Sequence, residues 1–378
     1  MPYDLIILGA GGVGSAALWQ AAKRGLRVLG LDRFEPGHDR GSSHGQTRII
    51  RQAYFEHADY VPLVLRAYAL WEELSSLGHT ALMRETGLLQ VGPPEGEVVR
   101  GVLGSARQHG LDVESMSAAE SEQRFPGLVV PPGMVTVYEK KAGFLWVEKC
   151  CETQAKLALD AGAELRTGEA ILSWRATEDG FRVTTTRGEY DAARLIVTAG
   201  AWAAQLLAEL WQSRGLSLRV LRKPLYWFAC DDARYQADRG MPAFLYEMPQ
   251  GVFYGFPQVD DWGVKGARHS GGAGVGDPLA VDRALDEAEC DEVRTFVTQY
   301  LPGVSGRMTH HATCMYTMSP DGHFLVDRHP QHANLAFAAG LSGHGFKFVP
   351  ALGEALVQLV LGEKTTSPVE FLGLGRFG

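Results

Sequence analysis

The beginning of the chain constrains the fold most, because it matches a nucleotide-binding unit. Residues 4–8 predict a buried strand, residues 9–14 read Gly-Ala-Gly-Gly-Val-Gly, residues 15–24 predict a helix, and residues 27–31 predict a second strand that ends at Asp32. Glycines here allow a tight turn, and the helix N terminus presents N–H groups to a pyrophosphate. Asp32 can accept a hydrogen bond from a ribose hydroxyl group, which favours a ribose without a 2′-phosphate. We predict a dinucleotide site, the alternative being a glycine-rich turn that binds no ligand.

Composition and charge narrow the class of protein. The chain has 378 residues, of which 46% are hydrophobic and 21% charged, and its formal net charge is −8. This is typical of a globular protein with roughly two domains. The negative charge repels phosphate backbones, so nucleic acid is not expected as a partner. No apolar run reaches the roughly 18 residues of a membrane span, and the first strand begins too early to leave room for a signal peptide, so we expect a cytoplasmic protein without a membrane partner.

The cysteines and histidines show no metal-ligand spacing. The cysteines are Cys150, Cys151, Cys230, Cys290 and Cys314. Their odd number and the lack of a CxxC or HxxxH set argue against a zinc site and against a disulfide framework. We expect no bound metal and a reducing compartment.

The end of the chain repeats the pattern of its beginning. Residues 334–340 predict a buried strand, residues 341–347 a glycine-rich turn, and residues 348–361 a helix. A flavin enzyme needs a second contact of this kind, because the N terminus of such a helix could favour negative charge at the N1/O2 edge of a reduced flavin. The alternative is an ordinary strand–helix turn.

The middle of the chain predicts a second, sheet-rich domain. Residues 218–269 alternate in polarity and are rich in aromatic side chains, as in a large antiparallel sheet. Helices are further predicted at residues 59–77, 98–109, 146–161 and 290–300, and strands at residues 87–91, 163–166, 171–176, 181–186, 189–190 and 194–198. The predicted fold class is α/β, with a Rossmann-like dinucleotide-binding domain, which the resemblance described below makes an FAD-binding domain, and a second domain built on an antiparallel substrate sheet. The predicted FAD-binding domain comprises residues 1–85, 145–220 and 320–378, and the predicted substrate domain comprises residues 86–144 and 221–319.

Two arginines follow the nucleotide motif at a spacing of three. On a helical turn, Arg48 and Arg51 would share one face, and each guanidinium can hold a carboxylate through two hydrogen bonds. The alternative is a solvated basic surface, but Ile49 and Ile50 between them indicate partial burial. The pair therefore predicts an anion site.

Cys314, Lys265 and His269 are candidates for the chemistry of a flavin site. Cys314 follows His310 and His311, and a thiol near imidazoles is shifted towards the thiolate, which could attack the 8α-methyl group of an oxidised flavin. Lys265 and His269 lie at the end of the aromatic sheet, where a lysine could stabilise superoxide electrostatically. The alternatives are a buried structural cysteine and a surface lysine.

Six stretches, spread over almost the whole chain, occur in the order found in one known family. They are residues 3–14, 41–51, 60–66, 254–257, 314–317 and 341–348. On these motifs the chain resembles the monomeric sarcosine oxidase and N-methyltryptophan oxidase family of covalent flavoenzymes.

The resemblance implies roles for the matching residues. Cys314 would carry FAD through an 8α-thioether, Lys265 would activate oxygen, and Arg48 and His44 would lie close to the flavin ring. Arg51 and Lys347 would clamp the substrate carboxylate, and the substrate pocket would be lined by Tyr254, His269, Tyr316 and Leu245. Further cofactor contacts are expected from Gly9, Gly11, Gly12, Val13, Gly14, Asp32, Arg33, Ser42, Ser43, Thr47, Gly200, Trp202, Gly343, Gly345, Phe346 and Lys347.

The resemblance also implies a reaction. A monomeric FAD-dependent oxidase would convert the C–N bond of an N-methyl amino acid, such as sarcosine, to an imine. Water would release formaldehyde and the free amino acid, and dioxygen would be reduced to hydrogen peroxide. The alternatives are an oxidase of N-methyltryptophan, of a cyclic imino acid or of a glycated amine, an NAD-dependent dehydrogenase, and a flavin domain that acts on RNA, which the acidic balance disfavours.

Five positions depart from the pattern of the family. Ser43 and Gln46 stand where relatives often have His and Asp, Gln52 stands where they often have His, and Phe55 replaces a glycine of a loop thought to gate the site. Leu245 stands where the sarcosine enzyme has Met and the N-methyltryptophan enzyme has Thr. These differences bear on the size of the substrate.

Overall fold

A computed structural model describes residues 2–378. Its α-helices are α1 (Gly12–Ala22), α2 (Tyr60–Leu77), α3 (Glu97–His109), α4 (Ala118–Arg124), α5 (Val147–Asp160), α6 (Ala203–Leu206), α7 (Ala208–Ser213), α8 (Glu287–Tyr300) and α9 (Val349–Leu361). Its strands are β1 (Leu5–Leu8), β2 (Val28–Leu31), β3 (Thr47–Ile50), β4 (Met83–Arg84), β5 (Leu88–Gly92), β6 (Glu114–Met116), β7 (Val135–Glu139), β8 (Gly143–Trp146), β9 (Glu164–Arg166), β10 (Ile171–Thr177), β11 (Gly180–Thr185), β12 (Glu189–Ala192), β13 (Leu195–Val197), β14 (Arg219–Phe228), β15 (Ala243–Met248), β16 (Gly251–Phe256), β17 (Val264–Arg268), β18 (Gly274–Val275), β19 (Met308–Met318), β20 (Leu325–His329) and β21 (His332–Ala339).

The first sheet joins strands from both ends of the chain. Its order is β20-β21-β13-β1-β2-β9, with β1, β2, β9, β13 and β21 parallel and β20 antiparallel at one edge. Strands β1 and β2 are buried at every residue, as expected for parallel strands covered on both faces. Helix α1 packs against α5 and α9 on this sheet. The approach of α9 requires Gly353, because a Cβ atom there would lie 2.6 Å from the backbone nitrogen of Ala17.

The second sheet comes from the middle of the chain. Its order is β18-β14-β17-β16-β15-β5-β7-β6, and β19 pairs along β14. The antiparallel sheet predicted for residues 218–269 is confirmed in β14 to β17, whereas β15 pairs in parallel with β5. One face packs against α8, and the other carries an apolar cluster that includes residues of α3 together with Leu225, Trp227 and Cys314. The fold is therefore of the predicted α/β class, while the proposed domain boundaries stay a prediction.

Two small sheets complete the architecture, and one corrects a sequence prediction. Strands β10, β11 and β12 form the predicted meander, and β3, β8 and β4 form a second three-stranded sheet. The helical turn predicted for Arg48 and Arg51 is wrong, because Thr47–Ile50 pairs antiparallel with Gly143–Trp146. Arg48 therefore lies on a strand, and Arg51 follows its end.

Three further features of the described residues concern membrane-spanning helices, thiols and metal ligands. Within residues 2–378, no helix has both the length and the apolar composition needed to cross a bilayer. All five cysteines are free thiols. No group of three His, Cys, Asp or Glu side chains in that range is arranged to hold a metal ion.

Candidate active site

A cavity extends from the β1–α1 turn to the face of the second sheet. At one end it is lined by Gly9, Gly11, Gly12, Val13, Asp32 and Arg33, and at the other by Arg48, Arg51, Leu245, Tyr254, His269 and Tyr316. Ser42, Ser43, Gly200, Trp202, Gly343, Gly345, Phe346 and Lys347 also line the cavity. Most of the predicted site residues therefore share one space, although they come from distant parts of the sequence.

The glycine turn has the geometry expected of a nucleotide cradle. Gly9 has φ of +93°, and a Cβ atom on Gly14 would lie 1.7 Å from the Gly9 carbonyl oxygen. The Asp32 carboxylate accepts hydrogen bonds from the backbone N–H of Ala10 at 2.6 Å and of Phe34 at 2.9 Å, which ties the turn to the end of β2. Gly14 does not line the cavity. Its missing side chain allows α1 to pack closely against the end of β1.

Arg48 is the charged neighbour of the Cys314 thiol. Its Nη2 donates to Cys314 Sγ at 3.1 Å, and the thiol is 1% exposed. The neighbouring imidazoles inferred from the sequence are wrong: among the polar contacts of Sγ are the carbonyl oxygens of Ser42 and Met315, while His310 stacks on Trp262 with ring centroids 4.0 Å apart. The charged neighbour of the Cys314 sulfur is therefore a guanidinium and not an imidazole.

Arg51 already has an anion, which the sequence analysis missed. Its Nη2 lies 2.6 Å from Glu56 Oε2, and its guanidinium lies over the rings of Tyr54 and Phe55. Burial would raise the pKa of Glu56, but Arg51, followed by His344 and Lys347, lowers it to about 2. Glu56 is therefore an internal carboxylate held where a substrate carboxylate was predicted. Its signal in the sequence is an acid five residues after Arg51 in one short loop.

Lys347 is the second cation of this group. Its Nζ donates to the carbonyl oxygen of His344 at 2.7 Å and to Tyr54 Oη at 3.4 Å. Since Arg51 and Lys347 both contact Tyr54, the two cations converge on one ring. Burial, followed by the charge of Arg51, lowers the pKa of Lys347 to about 7.

Lys265 is buried rather than exposed on a surface strand. It is 1% exposed, and its Nζ donates to the carbonyl oxygens of Gly45 at 2.5 Å and Thr47 at 2.9 Å. Burial, followed by the charge of Arg48, lowers its pKa well below the usual value. The ammonium also lies 5.1 Å from the Trp227 ring centroid. It lies behind the 45–47 loop, not in the cavity wall, and no carboxylate lies within salt-bridge distance of it in the described chain.

The wall next to the cations carries aromatic and neutral polar groups. Leu245 and Tyr254 are register partners on β15 and β16, so their side chains share one face of the sheet. His269 follows β17, and its Nδ1 lies 3.3 Å from Tyr316 Oη. Burial, followed by the charge of Lys223, lowers the pKa of His269 to about 3, so this imidazole is neutral near pH 7. Gly343, with φ of +82°, lets the C-terminal turn lie against Tyr316, whose ring would be 2.3 Å from a Cβ atom there.

Five predicted residues lie outside the cavity wall: Gly14, His44, Thr47, Lys265 and Cys314. His44 is 3% exposed, and burial, followed by the charge of Arg48, lowers its pKa to about 3. Its Nε2 has no hydrogen-bond partner within residues 2–378.

The cavity retains free polar atoms that fit a dinucleotide. Trp202 Nε1 and Thr317 Oγ1 belong to residues of the wall, are buried, and have no partner in the described part of the chain. Together with the glycine cradle and Asp32 they supply the donors and acceptors that a dinucleotide needs. The residues present therefore fit FAD.

Comparison with known proteins agrees with this geometry. Residues 4–359 match the family model described as FAD dependent oxidoreductase. The chain is 39% identical over 377 residues to a monomeric sarcosine oxidase of Arthrobacter sp., covering 99% of this chain and 96% of the relative. It is 37% identical over 379 residues to an N-methyl-L-tryptophan oxidase of Salmonella enteritidis, with both chains covered completely.

Solved structures share the architecture. NikD, an amino acid oxidase of nikkomycin biosynthesis, superposes with a TM-score of 0.82 at 26% identity, covering 98% of this chain and 97% of NikD. An L-proline dehydrogenase from P. horikoshii superposes with a TM-score of 0.85 at 21% identity, covering 100% of this chain and 98% of the other, which shows a shared fold alone.

Proposed function

This chain belongs to the family of FAD-dependent oxidoreductases, and on that premise we propose that it oxidises the C–N bond of an N-methyl amino acid such as sarcosine. The products would be formaldehyde, the free amino acid and hydrogen peroxide. FAD, when bound, supplies the two-electron acceptor that passes electrons on to dioxygen. Because the members of this family depend on FAD, the alternative of an NAD-dependent dehydrogenase is not retained.

The observation that carries the proposal is the convergence of Arg51 and Lys347 on one end of the cavity. Two cations beside an aromatic wall can bind the carboxylate of an amino acid and fix its orientation. The carboxylate of Glu56, which now pairs with Arg51, would have to give up that contact when substrate enters.

The residues that would hold FAD come from both sheets. The glycine turn and Asp32 would bind the pyrophosphate and ribose, and the turn before α9 would approach the ring system. Cys314 would bind the 8α-methyl group through a thioether, with the Arg48 guanidinium beside its sulfur.

The amine of the substrate must lose its proton to react. His269 remains neutral, so it can accept a hydrogen bond from the amine without adding a charge. Because the neutral amine is the reactive form, the rate of substrate oxidation should rise with pH as the bound amine deprotonates.

A substrate panel tests the proposal directly. Peroxide release would be measured with sarcosine, N-methyltryptophan, N-methylalanine, proline and pipecolate. We expect turnover with at least one N-methyl amino acid and little with the cyclic imino acids. Preferred turnover of proline or pipecolate would contradict the proposed substrate class, and the N-methyltryptophan arm tests the class named by the Salmonella relative.

The covalent attachment of FAD and the oligomeric state of the protein are tested separately. After acid precipitation, the yellow colour should remain in the pellet, and free FAD in the supernatant would rule out the thioether. We also propose that the protein is a cytoplasmic monomer, consistent with its free thiols and with the name of its sarcosine oxidase relatives. Light scattering of the purified holoenzyme would show a mass close to 41.2 kDa.

A further inference from the structure

Lys223 is a buried cation that the proposed chemistry does not use. It lies on β14, is 3% exposed, and has no carboxylate within salt-bridge distance among residues 2–378. Its Nζ donates to three consecutive carbonyl oxygens, of His269 at 2.7 Å, Ser270 at 3.0 Å and Gly271 at 3.0 Å. An ammonium has three N–H groups, so these three bonds satisfy it completely.

The segment that receives these bonds has little structure of its own. It follows the end of β17, and four of residues 269–276 are glycines. Gly271 and Gly272 have φ of +66° and +121°, and a Cβ atom on Gly272 would lie 3.1 Å from Cδ of Lys223. Bonds from His269 N–H to Val252 O at 2.7 Å and from Val252 N–H to Ser270 Oγ at 2.9 Å tie the start of the segment to β16, and Lys223 holds its carbonyl groups from the other side. Ordering a glycine-rich backbone costs much conformational entropy, which these contacts offset together. Three carbonyl groups that converge in a buried site would also repel one another without a cation.

The anchor is adjacent to the cavity wall. Lys223 is the register partner of Cys314, and its Nζ lies 5.0 Å from the ring centroid of Tyr316. The first carbonyl it holds belongs to His269, whose Nδ1 lies 3.3 Å from Tyr316 Oη. Lys223 therefore links β14, which pairs with the strand that carries Cys314 and Tyr316, to the backbone of His269.

Charge reinforces this arrangement. Burial, followed by Arg268, lowers the pKa of Lys223 to about 8, while Cys314 and Glu289 act in the opposite direction. Near pH 7 the ammonium is therefore charged and, after burial, is the largest influence that keeps His269 neutral. The other charged or titratable groups that act on His269 are Glu56, His344 and Lys347.

We propose that Lys223 is a positioning residue, which gathers the carbonyl oxygens of the 269–271 segment and thereby holds the His269 imidazole against Tyr316 in the substrate wall. Its consequence for catalysis rests on the proposed function, because His269 would act on the substrate amine. The contact geometry is independent of which substrate is used.

A double-mutant cycle tests whether Lys223 acts through His269. The holoenzymes of wild type, K223M, H269A and K223M/H269A would be compared by anaerobic flavin reduction with the best substrate of the panel. We expect K223M to lower the reduction rate at least about tenfold when His269 is present and by less than about twofold when it is absent, since coupled residues are not additive. K364M removes an exposed lysine and should leave the rate unchanged.

A second measurement does not depend on turnover. Histidine-labelled holoenzymes would be titrated by NMR, with the His269 signal assigned from H269A. Without the cation of Lys223, the His269 pKa should rise by about one unit or more, whereas K364M should leave it unchanged. If no N-methyl amino acid reduces the wild-type flavin, the proposed function fails while this titration still tests Lys223.

Three results obtained with folded, FAD-loaded variants would overturn the inference. They are equal losses from K223M with and without His269, an unchanged His269 titration in K223M, and full activity in K223M. K223Q keeps two N–H donors without the charge, and it replaces K223M in the same cycle if K223M does not fold. Loss of FAD or of folding in both variants would also overturn the inference, because Lys223 would then serve the core as a whole.

Discussion

At the scale of single residues, Glu56 changes how the anion site must work. Arg51 is not a free cation that awaits substrate, because its guanidinium is paired with Glu56 and stacked on two aromatic rings. Under the proposed function, a substrate carboxylate would have to replace this ion pair, so its affinity would be the difference between two similar interactions. Lys347 has no carboxylate within 4 Å in the described residues. It would therefore contribute much of the net free energy of binding of the substrate carboxylate.

Lys347 should make the binding of simple carboxylates dependent on pH. Its pKa of about 7 in the free protein means that it loses its charge above neutrality. A bound anion raises this pKa, so binding takes up a proton above pH 7 and none below it. The Kd of acetate, followed by flavin absorbance, should be constant below pH 7 and rise up to about tenfold per pH unit above it. Acetate has no amine, so the ligand itself does not titrate in this pH range. K347M should bind acetate more weakly and with a Kd that does not change above pH 7. If the Kd of K347M shows the same pH dependence as wild type, then the proton is taken up by another group.

Lys265 should serve dioxygen more than the amino acid. Its ammonium is held by the carbonyls of Gly45 and Thr47, away from Arg51 and outside the cavity wall. In K265M, reoxidation of reduced flavin by dioxygen should slow at least about a hundredfold, because a preorganised, buried amine that donates hydrogen bonds is lost. Anaerobic reduction by substrate should change much less. Stopped-flow measurement of both half-reactions checks this, with K364M as the control, and equal losses in both would refute the role.

At the scale of elements, β5 contains a polar residue with no partner. Gln90 is fully buried between its register neighbours Leu245 and Val137, and neither atom of its amide has a hydrogen-bond partner in residues 2–378. Gln90→Met should therefore be neutral or stabilise the holoenzyme by up to about 2 kcal/mol, measured as the free energy of unfolding in denaturant.

Gln358 provides a matched control for this change. Its amide donates to Thr366 Oγ1 at 2.7 Å and accepts from the Thr366 backbone N–H at 2.9 Å, so Gln358→Met should destabilise the protein by roughly 1–2 kcal/mol. If Gln90→Met costs as much as Gln358→Met, then the Gln90 amide has a partner such as an ordered water.

The sequence predicted elements well where local pattern and burial agree. The nucleotide unit, α2, α3, α5, α8, α9 and the meander were all predicted from periodicity, turn residues and glycine. Strand β3 was mistaken for a helical turn, and β19 was not predicted, because each depends on a partner distant in sequence: β3 pairs with β8, and β19 pairs with β14. Lys223 was missed for the same reason, since only the folded chain places it beside His269. Glu56 was missed although its partner Arg51 is only five residues away, because the loop conformation that pairs them has no periodic pattern.

At the scale of the whole molecule, the proposed cofactor would join the two sheets. The glycine turn belongs to the first sheet, and Cys314 lies on β19 of the second. A covalent link makes the bound state independent of free FAD, whereas reversible binding adds stability that grows with FAD concentration.

C314S should therefore make stability depend on free FAD. Its thermal midpoint should fall below that of wild type and rise again as FAD is added, while the wild-type midpoint should not respond. C290S carries the same change at another fully buried cysteine, and its midpoint should be insensitive to added FAD. Scanning calorimetry at several FAD concentrations would check this, and a wild-type midpoint that follows FAD would show reversible binding.

The contact between Gly353 and Ala17 has a consequence for biosynthesis. Helix α1 (Gly12–Ala22) leaves the ribosome long before α9 (Val349–Leu361), which covers it. Until then the nascent N-terminal strand–helix unit exposes an apolar surface whose covering helix does not yet exist. This apolar surface must therefore be kept from aggregating throughout elongation, for example by chaperones. A domain built from consecutive sequence would bury the corresponding surface as soon as it had been translated.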